Sequence, residues 1–290
     1  MRIDPKGRSS DLEDRRGGGG GGFGFGGGGG GFGRGRMGLG GLVIVLILSV
    51  VFKQDFFSLL GGGSGVVESP AAEAPVNDPN EEPSVLRLSA VLDSTQNFWQ
   101  RTLPQMGQQY QRARLVLFRD ATGTACGTGQ AAAGPFYCPG DNRVYLDLAF
   151  LDELTSRFGA PGEFAQAYVL AHEIGHHVQN LLGISGQVHQ AQQQRGGSEA
   201  NQLSVRLELQ ADCYAGVWGH LAAQQGWLDA GDMEEGLGAA AAVGDDRLQK
   251  QATGRVSPES WTHGSSEQRV SWFRRGLTSG QMDSCDTFKR

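Results

Sequence analysis

Three residues on one short segment carry the chemistry most visible in this chain: His172, Glu173 and His176, in Ala-His-Glu-Ile-Gly-His-His. On a helix, positions i and i+4 share a face, so His172 and His176 can present ring nitrogens to a single ion. Glu173 is offset around the helix and can reach a water beside that ion without ligating it. Zinc lowers the pKa of such a water toward ~7, and a carboxylate can take its proton as it attacks a carbonyl. Three fixed positions of uncommon types arise by chance in a chain of this length with a probability on the order of one per cent.

A catalytic zinc needs a third protein ligand and an open position. Leu182 stands six residues after His176, where a three-histidine arrangement would need its last ligand, so that option is excluded. The later candidates are His189, Glu199, Glu208, His220 and His263. Glu208 is the best of them. It lies in Leu-Glu-Leu-Gln-Ala-Asp-Cys-Tyr, four residues ahead of Asp212, so both carboxylates share one face of an otherwise apolar helix. Two carboxylates buried there demand a cation or a donor. Glu208 as ligand and Asp212 as acceptor for a zinc-bound histidine satisfies both; a solvated acidic face is the bland alternative. His177 points off the metal face.

The elements that must position these residues follow from patterning. Phe164–Leu182 reads as a helix entered after Pro161 and closed by Gly183, and Leu203–Leu221 reads as a second. A third begins over Leu237–Val243 and a fourth spans Ser265–Leu277, with Ser265 and Gln268 spaced as a capping box. Val91–Tyr110 has helical character, and Leu115–Phe118 and Val144–Leu148 are strand-like. Tyr145 belongs either to an edge strand above the metal or to the interior. Asp245 and Asp246, ahead of Arg247, read as a helix-end salt-bridge pair rather than a calcium site. The fold class expected is α+β, a predominantly helical domain with a small sheet.

Composition sets the surroundings. Residues 1–53 hold 8 Lys/Arg against 4 Asp/Glu, and the remainder 17 against 27, within a formal net charge of -6. An acidic folded part argues against nucleic acid as a partner. Residues 1–36 read as a disordered, glycine-rich tail. Met37–Phe52 is a strongly apolar run of 16 residues, short of the ~20 that cross hydrocarbon unaided. With Lys53, Phe56 and Phe57 beside it, residues 37–57 are expected to anchor the chain in a bilayer as one transmembrane helix. Arg34 and Arg36 precede the run, which places the N-terminus in the cytoplasm and the domain outside it. A linker over 58–84 then leads to a folded domain over 85–290. Cys126 and Cys138 flank a turn-rich stretch and close a small disulfide loop if the domain is extracytoplasmic, or stay as buried thiols if it is not.

The chain resembles the bacterial membrane-anchored neutral zinc metallopeptidases over most of its length. The resemblance runs through DLEDRRG, CGTGQAAAGPFYCPGDNRVYLDL, AHEIGHHVQ, VRLELQADCYAGVW, GDDRLQ, WTHGSSEQRV and CDTF. More distantly, HExxH followed by ExxxD and then Thr-His…Glu-x-Arg is similar to the membrane prenyl-protein and heat-shock peptidases. That order is the gluzincin order, which implies a zincin-like domain, one zinc on His172, His176 and Glu208, and a peptide or protein substrate. Gly264 departs from those distant relatives, which often have Pro there. The CDTF tail adds a second expected disulfide, Cys213–Cys285. Two further roles are expected: His263 as a donor to the oxyanion that forms on an attacked carbonyl, and Arg269 as the group that orients Asp212 or Glu208. His263 serving only the hydrogen bonding of its turn stays open. The competing function is a zinc-bound, non-catalytic membrane scaffold or chaperone.

Overall fold

The computed structural model describes residues 1–17, 78–130 and 134–289. The expected anchor, the glycine tract and most of the linker lie outside the described residues. Among the described residues, no helix is long and apolar enough to cross a membrane. The architecture is mixed, mostly helical with a small sheet, as its patterning implies.

The first segment differs from the disordered tail expected for it. Leu12–Asp14 forms strand β1, paired in parallel with Leu115–Leu117 of strand β2 (Arg114–Phe118). The charges that look solvent-bound in the sequence are matched across the fold. Arg8 pairs with Asp14 and Glu82, Arg16 with Asp14 and Glu81, and Asp11 with Arg112. Asp11 also accepts from Gln96 at 3.0 Å, and Ser9 donates to Asp93 at 2.6 Å. Three residues of strand carry too little periodicity to be read from sequence, and their partners lie about a hundred positions away.

The chain continues through helix α1 (Glu82–Thr102) into β2, a hairpin of β3 (Ala121–Thr124) and β4 (Gly127–Gln130), then β5 (Phe136–Cys138) and β6 (Arg143–Asp147). The main sheet has the order β1-β2-β6-β5, parallel except for β5, which runs antiparallel to β6. Side chains alternate between faces. Leu115, Leu117, Val144 and Leu146 join the large helical core, whereas Val116, Phe118, Tyr145 and Cys138 pack together on the other face. Tyr145 is therefore interior, flanked by strands on both sides. The edge strands of this sheet are β1 and β5.

The helices α2 (Ala149–Ser156), α3 (Glu163–Leu181), α4 (Ile184–Gln193), α5 (Gly197–Gln224), α6 (Asp232–Ala242), α7 (Asp245–Thr253) and α8 (Ser266–Ser279) follow. The capping box of Ser265 and Gln268 opens α8 as its spacing predicts. Two close approaches fix the geometry around the histidines. A Cβ on Gly175 would lie 3.0 Å from the Ala211 carbonyl oxygen, so α3 crosses α5 almost backbone to backbone. A Cβ on Gly276 would lie 2.0 Å from the Cys213 carbonyl oxygen, so α8 presses on α5 more closely still. Cys213 is bonded to Cys285 beside that crossing, and Cys126 is bonded to Cys138 across the hairpin and β5.

Candidate metal centre

The crossing at Gly175 puts three ligand atoms together. His172 Nε2 and His176 Nε2 are 3.1 Å apart, and the Glu208 carboxylate oxygens lie 3.2 Å from the first and 3.4 Å from the second. Among the described residues, these three form the group of ligating side chains that converge within 4.8 Å. His172 is buried, and His176 and Glu208 are half-buried.

The atoms behind the rings decide which nitrogens face inward. Asp212, wholly buried on α5, lies 2.8 Å from His172 Nδ1, and an ionised carboxylate can only accept, so Nδ1 carries the proton. Gln179 accepts from His176 Nδ1 at 2.9 Å. Its amide orientation is set because its nitrogen donates to the Leu207 carbonyl and to Gln210. Both Nε2 lone pairs then point at each other and at a carboxylate. Such a cluster of acceptors suits a cation, and two imidazoles with one carboxylate are the donor set that zinc takes in hydrolytic sites. The residues present fit zinc.

The same demand for positive charge shows in the electrostatics, where a ring proton takes the place of the cation. Burial works against charge on Glu208, yet the His176 and His172 rings hold its carboxyl well below the ordinary range. Burial likewise opposes a charged His176, but Glu208 outweighs it and pushes the ring up to about 9. Asp212 is desolvated, and Arg269 and His172 bring it down to about 2 all the same. Arg269 donates through Nε to Asp212 Oδ2 at 2.8 Å and through Nη2 to Oδ1 at 2.9 Å, and Tyr168 donates its hydroxyl at 2.6 Å. Of the two roles weighed for Arg269, the contact is with Asp212; Glu208 is 3.9 Å away.

Glu173 and His263 line the same cavity of about 540 Å³, together with Phe136, Tyr137, Phe150 and Phe158. His263 is held through Nδ1, 3.2 Å from Asp245 Oδ1, so Asp245 is more than the helix-end salt-bridge residue that its sequence suggests. His177 is buried off the metal face, between the Tyr137 hydroxyl and the Gln111 carbonyl. The discarded ligand candidates lie elsewhere: His189 is paired with Gln193, His220 lies against the Leu277 carbonyl, and Glu199 sits in the first turn of α5. Sequence reading missed Gln179 and the β5 edge. Gln179 stands three residues after His176 on the same helix, a spacing that could have signalled it.

Comparison with known proteins gives a consistent result. A family model described as "Putative neutral zinc metallopeptidase" matches residues 1–288. The protein named "Uncharacterized protein YpfJ" from Escherichia coli (strain K12) is 49% identical over 251 residues, covering 86% of each chain. "Uncharacterized protein Rv2575" from Mycobacterium tuberculosis (strain H37Rv) is 46% identical over 213 residues, covering 70% of each. No solved structure matches.

Proposed function

The chain belongs to this neutral zinc metallopeptidase family, and from that premise we propose that it is a zinc-dependent endopeptidase of the gluzincin type with a zincin-like domain. The observation that carries the reading is the convergence of His172, His176 and Glu208 in a cavity that Glu173 also lines. Three ligands leave a coordination position open, whereas a purely structural zinc site closes with four. Zinc, when bound, supplies a Lewis acid that activates water and polarises a carbonyl. Asp212 and Gln179 keep the two ligand rings in the tautomer that presents Nε2. Glu173 takes the proton of the attacking water and can return it to the leaving amine. His263 faces the cavity as a donor for the charge that grows on the carbonyl oxygen.

A peptide suits the surroundings of the site. The outer edge of β5 carries Phe136 and Tyr137 beside the cavity, and an extended chain can pair with such an edge through its main chain. Location belongs to the same proposal. Both disulfides support a domain outside the reducing cytosol. Met37–Phe52 is proposed to hold the chain at a bilayer. The contacts of residues 1–17 with α1 and β2 support placing them on the domain's side of that bilayer, in place of the cytoplasmic N-terminus and single crossing expected from Arg34 and Arg36.

Incubating the full chain with a diverse peptide library tests the reading. Internal cleavage that stops with a chelator and returns with zinc supports it. A zinc-loaded protein that cleaves nothing would favour the scaffold instead.

A further inference from the structure

His263 enters the cavity from the loop between α7 and α8, and a loop histidine is only as well placed as whatever fixes its ring. That loop is fastened to the first residues of α7. One oxygen of Asp245, Oδ2, accepts the backbone N–H groups of Thr262, His263 and Gly264 at 2.7, 2.7 and 3.0 Å. The Asp245 N–H donates in return to the Gly264 carbonyl at 2.8 Å. Asp246 Oδ1 takes the Ser266 N–H and hydroxyl at 2.7 and 2.8 Å. Gly264 bends through a φ of +91°, which proline cannot adopt, so this loop differs in kind from one with Pro after the histidine. With Oδ2 committed to the backbone, Oδ1 is left for the ring, 3.2 Å from His263 Nδ1, and the Thr262 hydroxyl oxygen stands 3.1 Å from the same nitrogen, where it too can accept.

Resting on the peptidase reading, we propose that Asp245 is a positioning residue for His263: it fixes the loop through one oxygen and the ring through the other, so that Nε2 is the nitrogen offered to substrate. An ionised carboxylate only accepts, so Nδ1 is the protonated atom and the ring is held against rotation. Negative charge beside Nδ1–H also lets the ring carry a second proton on Nε2, and the charged ring donates from Nε2 as charge builds on a carbonyl oxygen. The loop clamp and the ring contact use different oxygens, so they can be separated experimentally. In Asp245→Asn the amide oxygen must face the three N–H groups. Its NH₂ then meets Nδ1, so the ring keeps one proton, on Nε2, and donates only as a neutral imidazole, without the charge that the carboxylate supports.

Two measurements on the zinc-loaded full chain test this. The first is a kinetic cycle of Asp245→Asn, His263→Ala and the double variant, with zinc content and melting followed in each. Asp245→Asn is expected to lower kcat by roughly 10–100-fold, on the scale known for groups that orient metal-ligating histidines, with KM and zinc nearly unchanged. The double variant should be no slower than His263→Ala alone. Normal kcat in Asp245→Asn, or losses that multiply in the double variant, would mean that Asp245 only closes the loop. The second measurement is the ¹H–¹⁵N correlation of the His263 ring in the wild-type protein. A protonated Nδ1 is expected, and a bare Nδ1 overturns the proposal by itself, even if Asp245→Asn does not fold. If the wild type cleaves no peptide while Nδ1 is protonated, the peptidase reading fails and the ring placement stands.

Discussion

Each residue around the candidate metal has a separable consequence. Glu208→Ala removes one of three ligand atoms, so its metal content is expected to fall as far as that of His176→Ala, read by elemental analysis after dialysis. Asp212→Asn removes no ligand; it weakens the hold on His172 Nδ1 and should cost on the order of 10–100-fold in affinity or activity. Full retention of zinc in Glu208→Ala would remove Glu208 from the ligand set. Asp212 also makes a pH statement. Its folded value of about 2 lies below the ordinary 3.8, so its contribution to stability is present above pH ~4 and is lost as pH falls toward 2. Acid unfolding of Asp212→Asn should lack that component. The roles proposed for these residues rest on spacing that was legible: i and i+4 on a helix forces two side chains onto one face. Asp245 was not legible, because a carboxylate in a polar stretch looks solvated until its distant partner is known; Gln179 was missed although its partner His176 stands only three residues before it.

Among the elements, the helices over Phe164–Leu182 and Ser265–Leu277 were readable from their apolar periodicity, and their ends fell within a few residues of the expected positions. Leu203–Leu221 and Val91–Tyr110 were the exceptions: α5 begins at Gly197, because its first turns are polar and carry no periodic signal, and α1 runs from Glu82 to Thr102, nine residues earlier at its start and eight at its end. The short strands were harder. β5 spans three residues between Gly/Pro-containing segments, yet it supplies the edge beside the cavity. The α5–α8 crossing makes a direct prediction. Gly276→Ala would force a methyl against the Cys213 carbonyl, and overpacking of this kind costs about 1–3 kcal/mol. Thermal denaturation should show a lowered Tm, and Asp212 should lose part of its Arg269 contact. Gly186→Ala in α4 is the control: nothing lies within 4 Å of the new Cβ, so Tm should hold or rise slightly.

For the whole molecule, the consequential feature is the packing of residues 1–17 on the domain. A hydrocarbon layer of ~30 Å cannot stand between strands that share a ladder. Ser10 and Gln225 are both exposed. Cysteines introduced at these positions, one per variant, should therefore react with a membrane-impermeant maleimide from the same side of the membrane. Labelling from opposite sides would show that β1 does not pair with β2 in the cell. Peptide mapping under oxidising conditions should recover Cys126 with Cys138 and Cys213 with Cys285.

Glu173 is proposed to move a proton and not to hold the metal. Removal of a general base costs ~10²–10⁴-fold in rate, whereas removal of a ligand costs the ion itself. The direct measurement is zinc content and peptide turnover of the full chain, wild type beside Glu173→Gln. Equal zinc with turnover reduced at least a hundredfold is the predicted result; near-normal turnover, or loss of zinc along with activity, would contradict it.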